Sequence, residues 1–173
     1  MKSFAVAFSL VAALAVTACG GGAPQDSSLD DLASQADPIS TYAAAKALAE
    51  TQPNVHQAVA LHLNGSLVGH GYSWSWTFAD KLNQVVIAVT PHGLKVASTM
   101  HQIDYLGPNP IDPAHVKLHP ADVLSVCKKQ GYTAAPVELD LARALTKSDA
   151  DWYVELGAQG SLRVNAATGL LGK

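Results

Sequence analysis

Cysteine and charge are both scarce in this 173-residue chain. Cys19 and Cys127 are the only cysteines, too few for the several disulfides that hold small secreted domains together. Charged residues make up 14% of the chain, and the net charge is −3. A chain without excess positive charge has no basic face for phosphates, so we do not expect it to bind nucleic acid.

Recognisable catalytic motifs are also missing. The sequence contains no nucleophile elbow, phosphate-binding loop, dinucleotide fingerprint, HExxH pair or CxxC pair. Residues 71–75 are nearest to a serine-hydrolase motif, but they end in serine rather than glycine. Their alternation of aromatic and hydroxyl residues predicts a strand instead. We therefore expect no enzyme activity and no cofactor.

One long apolar run stands at the N-terminus. Residues 4–16 consist almost entirely of Ala, Val, Leu and Phe, and they follow the positive charge of Lys2. The run has the length of the apolar part of a signal peptide, and it is shorter than the roughly 20 residues of a membrane-spanning helix. It ends in Val16-Thr17-Ala18-Cys19.

This ending resembles the lipobox of bacterial lipoproteins, in which a branched apolar residue and two small residues precede a cysteine. The resemblance implies that residues 1–18 are a lipoprotein signal peptide and that Cys19 carries lipid, including palmitate. It also implies a place in the cell envelope, with the membrane as partner through the lipid. Gly20 stands where an Asp resembles an inner-membrane retention signal, which favours the outer membrane in a Gram-negative organism. The alternative is a secreted protein with a chance cysteine.

Residues 19–36 are predicted to form a flexible tether. Three glycines follow Cys19, and the rest of the segment has polar and acidic residues and few large apolar ones. Such a segment cannot bury enough apolar surface to offset the entropy of folding.

Residues 37–102 read as one helix followed by strands. The Ala-rich run 41–50 predicts the helix, with Ser40 as its N-cap. Residues 58–63 alternate as a strand, and Asn64-Gly65 predicts the turn after it. The aromatic residues of the next strand fall on one face, and residues 84–90 and 94–97 predict two further strands. The aromatic residues are Tyr72, Trp74, Trp76 and Phe78.

Residues 119–173 repeat this order, after a Pro-rich connector at 103–118. Pro120 marks a helix start and Gly131 its end. Trp76 precedes Gly93 by the same distance as Trp152 precedes Gly169. The same offset matches Phe78, Val86 and Ala88 with Val154, Leu162 and Val164. We interpret this as an internal duplication; the alternative is two unrelated helix-plus-hairpin segments.

The closing stretch resembles the end of a PepSY domain. That family ends with a strand, a turn and a D-A-x-T-G motif, which here reads Asn165-Ala166-Ala167-Thr168-Gly169. Asn165 replaces the usual Asp, and Leu170 replaces a common acidic residue. In the first half the match is looser, because Thr90-Pro91-His92-Gly93 stands in its place. The resemblance implies two PepSY-like, cystatin-like α+β units, each one helix packed on a small antiparallel sheet. Whether they merge into one body stays open.

The resemblance also implies a function in binding, because PepSY domains are thought to bind or restrain partners such as peptidases. We therefore expect a non-catalytic binding module with an envelope protein as partner. Trp74 and Tyr72 are the candidate binding residues, since Trp and Tyr favour interfaces. The alternative is that they are core. Tyr105, in the connector, is a third candidate.

Seven histidines are the remaining unusual feature. His56 and His62 are weak metal candidates because they have equal parity along one predicted strand. No complete set of metal ligands is evident, so scattered surface imidazoles are the simpler interpretation. A metal-binding or small-ligand-binding lipoprotein is the alternative function. Cys127 lies in an apolar pattern and is expected to be buried.

Overall fold

One antiparallel sheet of seven strands forms the centre of the molecule. The structure, a computed structural model, describes Leu29, Leu32, Gln35 and residues 37–81, 83–101 and 109–172. The strands are β1 Val59–Val68, β2 Gly71–Asp80, β3 Asn83–Thr90, β4 Gly93–Met100, β5 Glu138–Ala142, β6 Asp151–Glu155 and β7 Ser161–Asn165. Their order across the sheet is β4-β3-β2-β1-β5-β6-β7. The first strands of the two halves, β1 and β5, therefore pair at the centre, and the halves share one sheet.

Two helices cover the same face of this sheet. Helix α1, Tyr42–Glu50, precedes β1, and helix α2, Pro120–Lys129, precedes β5. Asp37 caps a 3-10 turn, Pro38–Thr41, that leads into α1, so the cap lies three residues before the predicted Ser40. Buried residues of both helices join one apolar cluster with the strands. The molecule is thus an α+β protein of two layers, with one sheet face left uncovered by either helix.

The core follows the alternation of the strands. Leu63 of β1 lies opposite Trp76 of β2 and opposite Leu141 of β5, and all three side chains are fully buried. Leu141 in turn lies opposite Trp152 of β6. A continuous row of large apolar side chains therefore crosses the middle of the sheet beneath the helices.

The Asn64-Gly65 pair does not form a turn, and this prediction is wrong. Strand β1 runs through both residues to Val68, and the hairpin closes at Gly69 and His70. Gly65 lies directly opposite Trp74, and a Cβ atom there would lie 2.3 Å from the indole ring. Gly65 is glycine because the Trp74 ring lies against its backbone, not because the chain turns.

Two tryptophans have the same role in the two halves. Trp76 and Trp152 are both fully buried in the second strand of their half. Each indole N–H donates to a carbonyl oxygen just before a helix: Trp76 to Pro38 at 3.2 Å and Trp152 to Leu118 at 2.9 Å. Each tryptophan thereby ties the start of its helix to the sheet.

The predicted matches of Val86 with Leu162 and Ala88 with Val164 are wrong by one residue. Ile87 lies opposite Trp76, and Val164 lies opposite Trp152, so Ile87 is the counterpart of Val164. The cause is that the β2–β3 connection is shorter than the β6–β7 loop, residues 156–160. The matched turn glycines do share a conformation, since Gly93 has φ 114° and Gly169 has φ 76°; that region strains residues with a side chain.

The side chain of Asn165 makes the hydrogen bonds that an Asp carboxylate would make in the closing turn. Its side-chain oxygen accepts hydrogen bonds from the backbone N–H groups of Ala167 and Thr168 and from the Thr168 hydroxyl, at 2.9–3.1 Å. An amide oxygen accepts such bonds as an Asp oxygen does. The Asn165 amide therefore holds this turn through three hydrogen bonds.

The folded body extends into the segment predicted as a tether. Leu29 and Leu32 are 5% and 3% exposed and belong to the core cluster. Gln35 bonds to the β1–β2 hairpin. The structure describes these three positions of the predicted tether, residues 19–36, and all three contact the body; the rest of the predicted tether lies outside the described residues.

Candidate functional site

The two edges of the sheet differ in how their backbone is paired. At the β7 edge, the N–H of Asn165 donates to Leu170 at 2.8 Å, and the N–H of Gly172 donates to the carbonyl of Arg163 at 2.7 Å. The C-terminal residues thus cover part of this edge. In the described part of the chain, β4 pairs with β3 and with no other strand.

Strand β4 is therefore an eight-residue edge that presents backbone donors and acceptors on its outer side. Its last four residues, 97–100, are exposed. An open antiparallel edge of this kind can accept an added strand from another chain. The sequence predicted β4 as a strand, but its position at the edge depends on which strands pair, and no local pattern reveals that.

A mostly apolar cavity lies on the helix side of the sheet at the beginning of β4. Its volume is about 280 Å³, and it is lined by Gln35, Tyr72, Trp74, Val89, Thr90 and Pro91. Leu94, the second residue of β4, lies opposite Val89. The edge therefore starts beside a concavity of the size of one or two side chains. Together, β4 and this cavity form the candidate site.

The structure places Trp74 in the core. It is 5% exposed, and its ring lies 6.3 Å from that of Trp152 in an edge-on arrangement. Of the two interpretations of Trp74, exposed anchor or core, its burial supports the second. Trp74 contributes to the candidate site as a wall of the cavity and does not project from the surface.

Tyr72 is half-buried beside Trp74, with ring centroids 5.3 Å apart. Its hydroxyl donates to the carbonyl of Pro136 at 2.7 Å, which links the first half to the residues just before β5. Burial raises the pKa of this phenol far above its ordinary value. Tyr72 is thus a neutral, fixed element of the cavity wall.

Gln35 closes the other side of the cavity. Its side-chain N–H donates to the carbonyl of His70 at 3.0 Å, and its side-chain oxygen accepts from the N–H of Tyr72 at 2.9 Å. The side chain thus pairs with the backbone as a strand residue would. This role could not be predicted from the sequence, because a single glutamine in a polar segment carries no periodic pattern.

The uncovered face of the sheet is polar. His62 lies 3.2 Å from Asp140, and the side-chain N–H groups of Asn64 donate to Glu138 and Asp140 at 2.5 Å each. Next to them, an open cavity of about 460 Å³ is lined mainly by polar and charged residues, including Tyr153, Glu155 and Arg163. This second concavity suits a polar or cationic small ligand.

The histidines do not converge. His56 lies before β1, where its backbone N–H donates to Asp80 at 2.6 Å, whereas the His62 ring pairs with Asp140. The other five occupy separate turns and termini. Among the described residues, no group of three or more His, Cys, Asp or Glu side chains is placed to hold a metal ion.

Of the remaining predicted sites, Cys127 is buried, whereas Cys19 and Tyr105 lie outside the residues that the structure describes. Cys127 is fully buried, and burial raises the pKa of its thiol to about 11, which keeps it protonated and unreactive. Cys19 and Tyr105 lie outside the described residues. Within the described residues, no helix combines the length and the apolar character that crossing a membrane requires.

Comparison with known proteins gives a fold relationship. The sequence matches no known family and no curated protein. The structure is similar to the crystal structure of a protein described as a candidate lipoprotein from Clostridium difficile 630, with a TM-score of 0.59. The identity is 14%, and the match covers 82% of this chain and 95% of that chain. At this identity the likeness establishes the shared fold alone.

Proposed function

We propose that this protein is a lipid-anchored lipoprotein of the cell envelope that captures an envelope protein without catalysing a reaction. The observation that carries the proposal is a difference between the two sheet edges. Strand β7 is partly covered by the C-terminal residues 170–172, whereas β4 pairs only with β3 among the residues that the structure describes. An edge strand left open in a folded protein is a liability unless it is used.

Capture would proceed by strand addition. A segment of the partner would pair with β4 through main-chain hydrogen bonds, which supply affinity with little dependence on sequence. One of its side chains would enter the apolar cavity beside Tyr72 and Trp74 and supply specificity. The exposed residues of β4 form the rim of this interface.

The anchoring part of the proposal is supported by the N-terminal sequence. The lipobox-like Val16-Thr17-Ala18-Cys19 follows a short apolar run, and the structural neighbour is itself described as a candidate lipoprotein. Lipid on Cys19 would hold the body in the envelope, at the outer membrane in a Gram-negative organism. Two or three acyl chains suffice for stable anchoring.

The partner in this proposal is a secreted peptidase that two PepSY-like units restrain. Support comes from the closing motif Asn165-Ala166-Ala167-Thr168-Gly169 and from the shared tryptophan arrangement of the two halves. Strand addition suits this role, because peptidases commonly bind extended backbone. The restrained enzyme would be held close to the membrane by the same anchor.

Proline substitutions on β4 test strand addition. Ser98 and Thr99 are both exposed, so their replacement removes a backbone N–H without removing core contacts. Neighbouring residues of a strand direct their N–H groups to opposite sides. We expect one of Ser98→Pro and Thr99→Pro to lower the melting temperature, because it loses a bond to β3. The other should keep the melting temperature and lose partner capture.

Capture is measured by cross-linking from envelopes, with a photoreactive residue at Lys95 of β4. The same residue at Ser161, an exposed position of β7, is the matched control. We expect a covalent adduct with an envelope protein from Lys95 and none from Ser161. Equal adducts from both strands, or undiminished capture by both proline variants, would exclude β4 as the docking strand.

A small-ligand function is the second candidate, favoured by the polar cavity on the uncovered face. Glu138, Asp140 and Glu155 line it together with Arg163, so a cationic or zwitterionic molecule is the expected ligand. Mass spectrometry of the native protein purified from envelopes tests it. A bound small molecule without a captured protein would favour this function over strand addition.

A further inference from the structure

The hairpin that contains the open edge, β3 and β4, carries no acidic side chain. Residues 81–101 include no Asp or Glu, although the chain as a whole has a net charge of −3. Their ionisable side chains are neutral or positive: Lys81, His92, Lys95 and His101. The acid just before this stretch, Asp80, is buried and accepts hydrogen bonds from the backbone N–H groups of His56 and Gln57. The open edge therefore differs in charge from the rest of the chain.

The covered edge belongs to an acidic half of the sheet. Strands β5, β6 and β7 contain four acidic residues, and their single basic residue is Arg163. The acidic residues are Glu138, Asp140, Asp151 and Glu155. Because like charges repel, an acidic segment of another chain would meet more repulsion at β7 than at β4.

Lys95 is the charged side chain of the open edge, and no carboxylate lies beside it. It is exposed and lies opposite Ala88 of β3, which in turn lies opposite Ser75 of β2. Among the described residues, Lys95 forms no ion pair. Helix α1 adds no net charge, because its Lys46 and Glu50 pair with each other at 2.5 Å. Lys95 is therefore available to a charge on a neighbouring chain.

The residues on either side of Lys95 face the core. Leu94 lies opposite Val89, and Val96 lies opposite the fully buried Ile87; both pack against the apolar cluster. A strand added beside β4 would continue this alternation, since successive side chains of a strand point to opposite faces. Its residues beside Leu94 and Val96 would lie on the apolar side of the sheet. The residue between them would lie beside Lys95.

We propose that β4 selects a partner segment with the pattern apolar–acidic–apolar, whose carboxylate lies beside Lys95. The proposal rests on the strand addition proposed above and adds the chemistry of the partner. Main-chain hydrogen bonds supply most of the affinity. The pair with Lys95 sets the preference, because opposite charges directly across two strands attract and like charges repel. It also sets the register, because a slip by one residue would turn the carboxylate to the apolar side.

Synthetic peptides test this selection on the full-length, lipidated protein in detergent. Three fluorescein-labelled peptides share the sequence Ser-Thr-Val-X-Val-Thr-Ser and carry Asp, Asn or Lys at X. Fluorescence anisotropy measures their Kd, and hydrogen exchange of the β4 amides reports where they bind. We expect the Kd to rise about threefold from Asp to Asn and about threefold again from Asn to Lys, as for an exposed charge pair. High salt should reduce both differences.

Charge reversal at Lys95 is the decisive variant. Lys95→Glu should bind the Lys peptide more tightly than the Asp peptide. Lys129→Glu makes the same change of net charge at an exposed position of α2 and should keep the original order. An Asp preference that survives Lys95→Glu would overturn the selection by Lys95. Equal binding of all three peptides, with protection of the β4 amides, would also overturn it and leave strand addition standing.

Two other outcomes are distinguishable from these. If none of the peptides protects the β4 amides, strand addition itself fails and the selection fails with it. If Lys95→Ala self-associates in sedimentation while the native protein binds the three peptides equally, Lys95 guards the edge against other copies of the chain. That result would replace selection of a partner by protection of the edge.

Discussion

The open edge and the covered edge of the sheet differ in their surroundings as well as in their backbone pairing. Strand β4 begins beside a mostly apolar cavity whose walls include Tyr72 and Trp74. Strand β7 is partly paired with the C-terminal residues and borders a polar cavity that Arg163 and Gly172 help to line. An unpaired backbone next to an apolar concavity suits capture of a polypeptide. Within the described residues, the sheet therefore has one edge that its own chain partly closes and one edge that pairs on a single side.

The largest effect is expected from Trp74→Ala. Because the Trp74 side chain is buried in the core, its removal should destabilise the fold by about 3–5 kcal/mol, as for other buried aromatic residues. Denaturant unfolding followed by circular dichroism measures this. Leu145→Ala, at a position that is 70% exposed, is the control and should be neutral. Loss of partner capture at unchanged stability would show instead that Trp74 is an accessible anchor.

A truncation that removes residues 170–173 should make the covered edge resemble the open one. It removes the bonds from Asn165 to Leu170 and from Gly172 to Arg163, which costs about 1–3 kcal/mol at the usual value of a net hydrogen bond. The freed strand should then pair with other chains, and sedimentation should show self-association. Leu170→Ala keeps the backbone bonds and is the control. A truncated chain that stays monomeric would show that the tail is not what closes this edge.

The smallest effect is expected from Gln35→Ala, which opens the cavity beside β4 on its N-terminal side. The variant loses the exposed bond to His70 and the partly buried bond to Tyr72, at a cost of about 1 kcal/mol, the usual net value of a hydrogen bond. Hydrogen exchange of the Tyr72 amide should accelerate. Gln159→Ala, in the loop at the same end of the other half, should leave that exchange unchanged. Unaltered exchange in Gln35→Ala would mean that the segment is not held by this side chain.

Local sequence patterns predicted the helices and strands whose form depends on neighbouring residues. The helix at 120–129 was recognised from Pro120 and from Gly131, which has φ 88°, and the alternation at residues 71–78 gave the inner face of β2. Burial of Cys127 followed from its apolar neighbours, and the structure confirms it. In each case the residues that carry the signal also make the contacts.

Features that depend on contacts between residues far apart in the sequence could not be predicted from local patterns. The Asn64-Gly65 pair is a strong turn signal, yet Trp74 requires the glycine within a strand. The pairing of β1 with β5 decides that β4 and β7 are the edges, and no spacing in the sequence encodes that pairing. Leu29, Leu32 and Gln35 each find partners far along the chain, so their segment was assigned to the tether.

The attachment of Leu29, Leu32 and Gln35 also has a mechanical consequence. If lipid holds Cys19, a pull on a partner captured at β4 is carried through the sheet and then through this segment to the anchor. Two buried leucines and the two bonds of one glutamine would yield before the paired strands do. Release of the seven residues between Leu29 and Asp37 would lengthen the connection between the anchor and the body by at most about 25 Å. The segment would thus extend under a pulling force. The sheet and a partner bound to β4 would stay intact.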